Sequence, residues 1–490
     1  MSLAAICGWT LARTLVLCLL AWPVCRWIER AFNHLSSSRR PWFLAALLAP
    51  CCFPELLVGY AFRDIALAEP KWSEVLCGGL LFVRMVPVGA IALLAAPRSA
   101  MDAAAIHCRR MAFRSRFGSH NDWVELAWCL WHGPIVRALP ALALMSLVAF
   151  QEFEMAALLQ TMSWTDWFVT HQQLGLDRSE LLRQSIWPLL WQMPVLLGVV
   201  HWLRTILVGP GHHFATRIES AEGPADRRVL WIGICCVTIA VIVGCLIPVA
   251  LIGWRTVDGL VLLSRQRSQQ WGMAREIIIS GAIAVCAGLS AWAVSRRLKR
   301  VMAYGLLPGL FGSLLLSLGG VTLFQISWLR PLYDTPIPWV LALTVWLLPR
   351  AAILRMWLHA LRNDEAIHVA EMLDRSSAVA DVRSRPLPTP SHRSVPSSLG
   401  NTHKSSLRNL RWHLRDQPQF LATGLLCYWA YCDLPSAYLL APTGMASGLV
   451  RLYNFMHFGR SAALSAEASV FFGLPIACLF LLLILNRRVR

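Results

Sequence analysis

The stretch LMSLVAFQEFEMAALL, residues 144–159, opens like the far end of a membrane-spanning helix and then places Glu152 and Glu154 inside it. A carboxylate at that depth is costly unless it faces protein or water. Whatever fold holds this segment must therefore offer one or the other. The rest of the chain sets the class. Of its 490 residues 57% are hydrophobic and 23 are Trp, and the mean hydropathy is +0.53, well outside the soluble globular range. These values predict an all-α, polytopic membrane protein.

Runs of about 20 apolar residues, the length that crosses a hydrocarbon core, fall near 3–27, 41–62, 75–97, 134–160, 185–208, 229–254, 276–296, 303–324, 336–358, 418–440 and 467–485. They predict about eleven transmembrane helices. The first run is long, holds Arg13 and lacks a clean small-x-small cleavage site, so it reads as an uncleaved span. A formal net charge of +18 would suit nucleic acid in a soluble chain. Here the cations flank apolar runs, as orientation signals do, and no nucleic-acid partner is expected.

Arg30, Arg39 and Arg40, the Arg-rich 98–133 loop, RRLKR at 296–300, the 361–417 loop and the terminal RRVR share one face, which the positive-inside rule makes cytoplasmic. Loops 63–74 and 161–184, with Asp64, Glu69, Glu74, Asp166, Asp177 and Glu180, take the other face. The 255–275 loop, with Arg255, Arg265 and Arg267, is the exception. Parity puts the amino terminus outside and the carboxyl terminus inside a cell inner membrane.

The 15 Cys lie mostly within apolar runs, as at Cys51-Cys52 and Cys235-Cys236, without the paired knuckles of a zinc site. They read as small buried hydrophobes. His212-His213 have no carboxylate or Cys nearby, so no metal or other cofactor is expected. RSRPLPTPSHRSVPSSLG (383–400) has too little apolar content to fold and reads as a disordered insertion.

The chain also resembles itself. AIHCRRM (105–111) recurs as AIHVAEM (366–372), Trp131-His132 as Trp412-His413, and AFQEFEMAALL (149–159) aligns with AYCDLPSAYLL (430–440), so that Glu152 matches Asp433. The first pair is offset by 261 residues (366 − 105) and the later ones by 281 (412 − 131), leaving room for an insertion the size of the Ser/Pro stretch. An even number of crossings separates the two AIH loops. Both therefore lie on the cytoplasmic face, which makes the repeat parallel and disfavours inverted-repeat carriers. Two equivalent cytoplasmic surfaces suit a partner that is itself a two-fold dimer.

At these residues the chain resembles the permease of a binding-protein-dependent ABC importer of the type-1 class, in the subgroup with both halves fused, similar to ferric-iron and thiamine permeases. Three places carry the resemblance, which covers nearly the whole chain. MDAAAIHCRRMAF (101–113) and NDEAIHVAEML (363–373) stand where the family has its Glu-Ala-Ala loop; FQEFEMAALL resembles its acidic GEF-AA-LL segment; and LLAPTGMASGLVRLYNFMHFG (439–459) is similar to its PPGT-T-VRIYN-MHYG stretch. Neither loop has the motif's Gly or the Leu-Pro that comes after it, which implies divergent coupling loops.

The resemblance implies two parallel type-1 permease repeats: a first half at 1–208 with about five helices, a cytoplasmic linker at 209–228, and a second half at 229–490 with about six. It assigns the ATPase-coupling loops to Asp102, Ala104, Ala105, Ile106 and His107 and to Asp364, Glu365, Ala366, Ile367 and His368. The implied partners are an ATP-binding-cassette ATPase dimer on the cytoplasmic face, an extracytoplasmic solute-binding protein and the lipid bilayer. The chain itself is then not an enzyme. It has no G-x-x-x-x-G-K-[ST] phosphate loop, so ATP hydrolysis falls to another subunit.

Within this reading Glu152, Glu154 and Asp433 face the axis between the halves and line a wet path, where their charge favours a small cation, such as ferric iron or thiamine. The alternative for these acids is the outer surface, since they lie roughly 27 Å along their helices at 1.5 Å per residue. The alternative for the chain is a stand-alone secondary transporter or channel. A membrane-embedded enzyme finds no His/Asp/Glu cluster to support it.

Overall fold

The structure is a computed structural model and describes residues 2–36, 38–96, 135–175, 178–208, 227–265, 267–297, 304–361, 372, 416–458 and 461–488. Every regular element among them is helical. The protein is all-α and polytopic. Among the described residues seven helices are long and apolar enough to cross a membrane, or up to nine if each of two bent pairs is one span.

The first helix, α1 (Leu3–His34), starts at Ser2, whose hydroxyl accepts the N–H of Ala5. Thr10 and Thr14 turn their hydroxyls back onto the carbonyls of Ile6 and Thr10, at 2.9 and 2.8 Å, so neither leaves a polar group exposed to lipid. Next come α2 (Arg40–Cys52) and α3 (Glu55–Ala68), bent by 69°. Pro54 causes the bend, because it forces Phe53 out of the helical region, to ψ 133°. The helix α4 (Ser73–Ala95) comes after them.

Beyond the 97–134 segment lie α5 (Val136–Phe150), α6 (Glu154–Leu158), α7 (Trp164–Gln173), α8 (Arg178–Gln184) and α9 (Ile186–Val208). Then α10 (Arg227–Val241) runs through a π-helical turn at Ile242–Leu246 into α11 (Ile247–Arg265), and α12 (Arg267–Arg297) returns alongside. A 3-10 turn at Pro308–Leu310 leads to α13 (Ser313–Phe324) through a 103° bend. Gly312 makes that bend with φ +88°, and a Cβ there would press on the Gln151 side chain at 3.0 Å. The rest is α14 (Arg330–Tyr333), α15 (Ile337–Leu361), α16 (Gln417–Tyr431), α17 (Leu434–Leu440), α18 (Gly448–Phe458) and α19 (Ser461–Arg488).

Packing depends on small residues. The helix α1 lies against α4 and α10, α12 against α15 and α16, and α11 against α19. Gly233 meets Ala31, Gly288 meets Cys427, and Gly259 meets Ala462 at these crossings, where any larger side chain would force the backbones apart. Outward-facing Val16, Leu19, Leu20, Leu190, Leu197, Leu251, Trp254 and Ile278 are exposed, as expected where lipid, not water, is the neighbour.

Several sequence expectations change. The runs 41–62 and 303–324 are bent helix pairs, and 134–160 and 418–440 are each interrupted between a 15-residue helix and a short one. Hydropathy cannot see a break that costs only one or two apolar residues. The expected 255–275 loop is instead largely helical, with α11 running to Arg265 and α12 starting at Arg267, and 161–184 carries α7 and α8 where a loop was expected. The 418–440 run is α16 plus α17, and 467–485 lies within α19. The 383–400 insertion, most of the 209–228 linker and the whole of the 98–133 loop lie outside the described residues.

Candidate functional site

Breaking a helix inside a membrane frees backbone N–H groups with no water to take them. The two breaks that hold the predicted acids solve this in the same way. The helices α5 and α16 are both 15 residues long, and their starts are offset by 281 (417 − 136), as are Glu152 and Asp433. After α5, the Glu152 carboxylate accepts the N–H of Ala156 at 3.1 Å and that of Met155, capping α6. After α16, Asp433 accepts the N–H of Ser436 at 3.0 Å, capping α17. Both acids are buried, at 4% and 6% exposure.

Neighbouring side chains fix the geometry of each break. At the first, the Trp164 indole donates to the Phe150 carbonyl at 2.6 Å and the Thr165 hydroxyl to the Glu152 carbonyl at 2.7 Å. At the second, the Ser317 hydroxyl donates to the Ser436 hydroxyl at 3.0 Å. The carboxylates thus have an immediate structural task. At about 1.5 Å per residue, α5 is roughly 22 Å long, shorter than a hydrocarbon core of about 30 Å.

Glu154 differs from both. It is 6% exposed and lies in the electrostatic field of Glu55, Asp433, Glu152 and Arg84, yet no described residue donates it a hydrogen bond. Around it the other charges have partners. Arg84, halfway along α4, forms an ion pair with Glu55 at the start of α3 and donates to the Phe53 carbonyl at 3.4 Å. Arg350, midway along α15, lies 3.8 Å over the Trp346 ring, donates to the Trp346 carbonyl at 2.8 Å, and faces the charges of Asp433 and Glu55.

Sequence reasoning missed Glu55, Arg84 and Arg350. The signal was present: a lone Arg inside CGGLLFVRMVPVGA (77–90) and another inside VWLLPRAAIL (345–354) are as anomalous in an apolar run as Glu152.

The amino- and carboxyl-terminal parts meet here. Phe153 stands 6.2 Å from Tyr453, and Tyr438 stands 6.4 Å from Tyr453. Gln151 donates to the Leu310 carbonyl at 2.6 Å and to the Gln192 side-chain oxygen at 2.7 Å, and Arg63 donates to the Met456 carbonyl. Among the described residues no group of three or more His, Cys, Asp and Glu is disposed to hold a metal ion. The predicted coupling residues Asp102, Ala104, Ala105, Ile106, His107, Asp364, Glu365, Ala366, Ile367 and His368 lie outside the described residues. No family profile, no curated protein and no solved structure matches the chain.

Proposed function

We propose that the chain is the transmembrane permease subunit of an ATP-binding-cassette importer. It moves a small cationic solute across the inner membrane by alternating access, driven by separate ATPase subunits on the cytoplasmic face and fed by an extracytoplasmic solute-binding protein. One observation carries this reading. The order bent pair, long helix, polar segment, 15-residue helix, acid-capped break and short helix occurs as α2 to α6 and again from residue 304 to α17.

In this reading the two successions are parallel repeats related by an axis along the membrane normal, with about eleven crossings in all. The 97–134 and 362–415 segments face the ATPases. The path runs past the layer of Glu152, Glu154 and Asp433, and its alternate exposure is a population shift between inward- and outward-open states. A parallel pair of breaks suits that motion, since short capped helices move as units without freeing backbone groups.

The test is uptake by membrane vesicles containing the chain with its ATPase. Removing ATP while the ion gradient is kept intact abolishes uptake in an importer of this class. Uptake that persists without ATP makes the chain a stand-alone carrier or channel.

A further inference from the structure

We infer that α18 is a lid on the outer face, fixed to the second half of the chain, which opens the junction between the halves by letting go of the first. The inference rests on the transport reading and deepens it, since it names the part that moves.

Position and shape come first. With 11 residues, α18 is roughly 16 Å long at 1.5 Å per residue, too short to cross a hydrocarbon core of about 30 Å. It leads into the start of α19, whose far end carries Arg487 and Arg488, and it touches Glu276 in the first turns of α12, whose far end carries Arg296 and Arg297. Both helices therefore place α18 on the face opposite the Arg-rich loops. Its residues Leu449, Leu452, Tyr453 and Met456, spaced i, i+3, i+4, i+7, are all buried, while Asn454 on the other side is exposed. Such a helix lies on a surface and covers it.

Its holds on the two halves are unequal. Toward the second half, Arg451 Nη1 meets Glu276 Oε1 of α12 at 3.2 Å and Nη2 meets Glu467 Oε1 of α19 at 3.1 Å. Both carboxylates are largely buried, where losing a paired cation is costly. Gly448 sits so close to the Phe471 ring that a Cβ would overlap it. Toward the first half, Arg63 of α3 donates to the Met456 carbonyl, and the Phe153 ring stands 6.2 Å from that of Tyr453. Met456 is among the last four residues of α18, whose carbonyls lack partners within the helix, and a cation there also meets the negative end of the helix dipole. One capping bond and one ring contact hold less firmly than a guanidinium clamped by two carboxylates.

The first half supplies the contrast. There α7 comes after α6 as α18 comes after α17, but Trp164 and Thr165 at its start donate to the Phe150 and Glu152 carbonyls. The helix α7 is thus tied to the break of its own half, while α18 lays Tyr453 against the break of the other. When the halves part, the Arg63 and Phe153 contacts break, the Arg451 clamp holds, and the Glu152 break is uncovered. The lid is closed in this structure.

The experiment is hydrogen–deuterium exchange of the full chain in lipid nanodiscs, with neither ATPase nor solute, following residues 150–160, α18 and, as a reference, α4. Arg63→Ala should speed exchange at 150–160 by about tenfold while α18 and α4 stay within about twofold of the parent. Arg63→Lys keeps a donor and should hold 150–160 within about threefold. Arg451→Gln should speed exchange of α18 by about tenfold or more, with Arg451→Lys in between and α4 unmoved. The inference is overturned by unchanged exchange at 150–160 in Arg63→Ala, by a rise there that α18 or α4 shares, or by an α18 that stays protected in Arg451→Gln. ATP does not enter this assay. A chain whose lid behaves as expected but which transports without ATP breaks the importer reading alone.

Discussion

The two helix breaks look alike from their caps and differ in the residues just beyond them. After Glu152 the chain continues Phe153-Glu154; after Asp433 it continues Leu434-Pro435. Glu152 holds two N–H groups and Asp433 one, with the side chains of Ser313 and Ser436 also set against Asp433. The position that is proline in the second break is a second buried acid in the first. Capping is thus common to both breaks, while a buried acid to which no described residue donates a hydrogen bond belongs to one. An acid inside a membrane helix has two separable explanations, and the hydrogen-bond partners tell them apart.

That contrast can be broken by substitution. The largest effect is expected for Glu152→Ala, which leaves two buried N–H groups without acceptors and should cost about 3 kcal/mol, seen as a fall in detergent-solubilised melting temperature. Asp433→Ala strands one and should cost about half as much, roughly 1.5 kcal/mol. Equal losses at the two sites would show that the count of capped N–H groups does not set the difference.

The isosteric changes sharpen it. Glu152→Gln and Asp433→Asn keep an acceptor oxygen, so each should cost less than about 1 kcal/mol in the same melt. Glu154→Leu should go the other way and raise stability by about 1 kcal/mol, because it removes a buried charge to which no described residue donates. A destabilised Glu154→Leu protein would mean that the carboxylate is held by a partner. The smallest effect is expected for deletion of 383–400. A segment that cannot bury a core adds little beyond loop-closure entropy, about 0.6 kcal/mol per doubling of loop length. Uptake should stay within a few-fold of the parent; lost membrane expression would give the segment a structural role.

Much of the fold was legible in the sequence because hydrocarbon thickness imposes a length on apolar runs, and each of the seven long spans falls on a run read from hydropathy. The breaks were not legible as breaks. FQEFE interrupts α5 with two acids and CCFPE interrupts α2 with one proline, while the surrounding hydropathy barely changes. The alignment of Glu152 with Asp433 was readable, and so was the burial cost of both. Their partners were not, since Met155, Ala156 and Ser436 present N–H groups only after the chain has turned.

The sequence by itself determined a helical membrane protein, the positions of its apolar runs, and two acids at matching places in a repeated pattern, because composition, periodicity and offset are properties of order along the chain. Only the tertiary structure decided what those acids touch. Arg84 meets Glu55, Gln151 meets the Leu310 carbonyl, and Phe153 stands 6.2 Å from Tyr453 across separations of dozens to hundreds of residues. A carboxylate's role in a low-dielectric interior depends on which donors lie within about 3 Å of it, a quantity that no one-dimensional pattern carries.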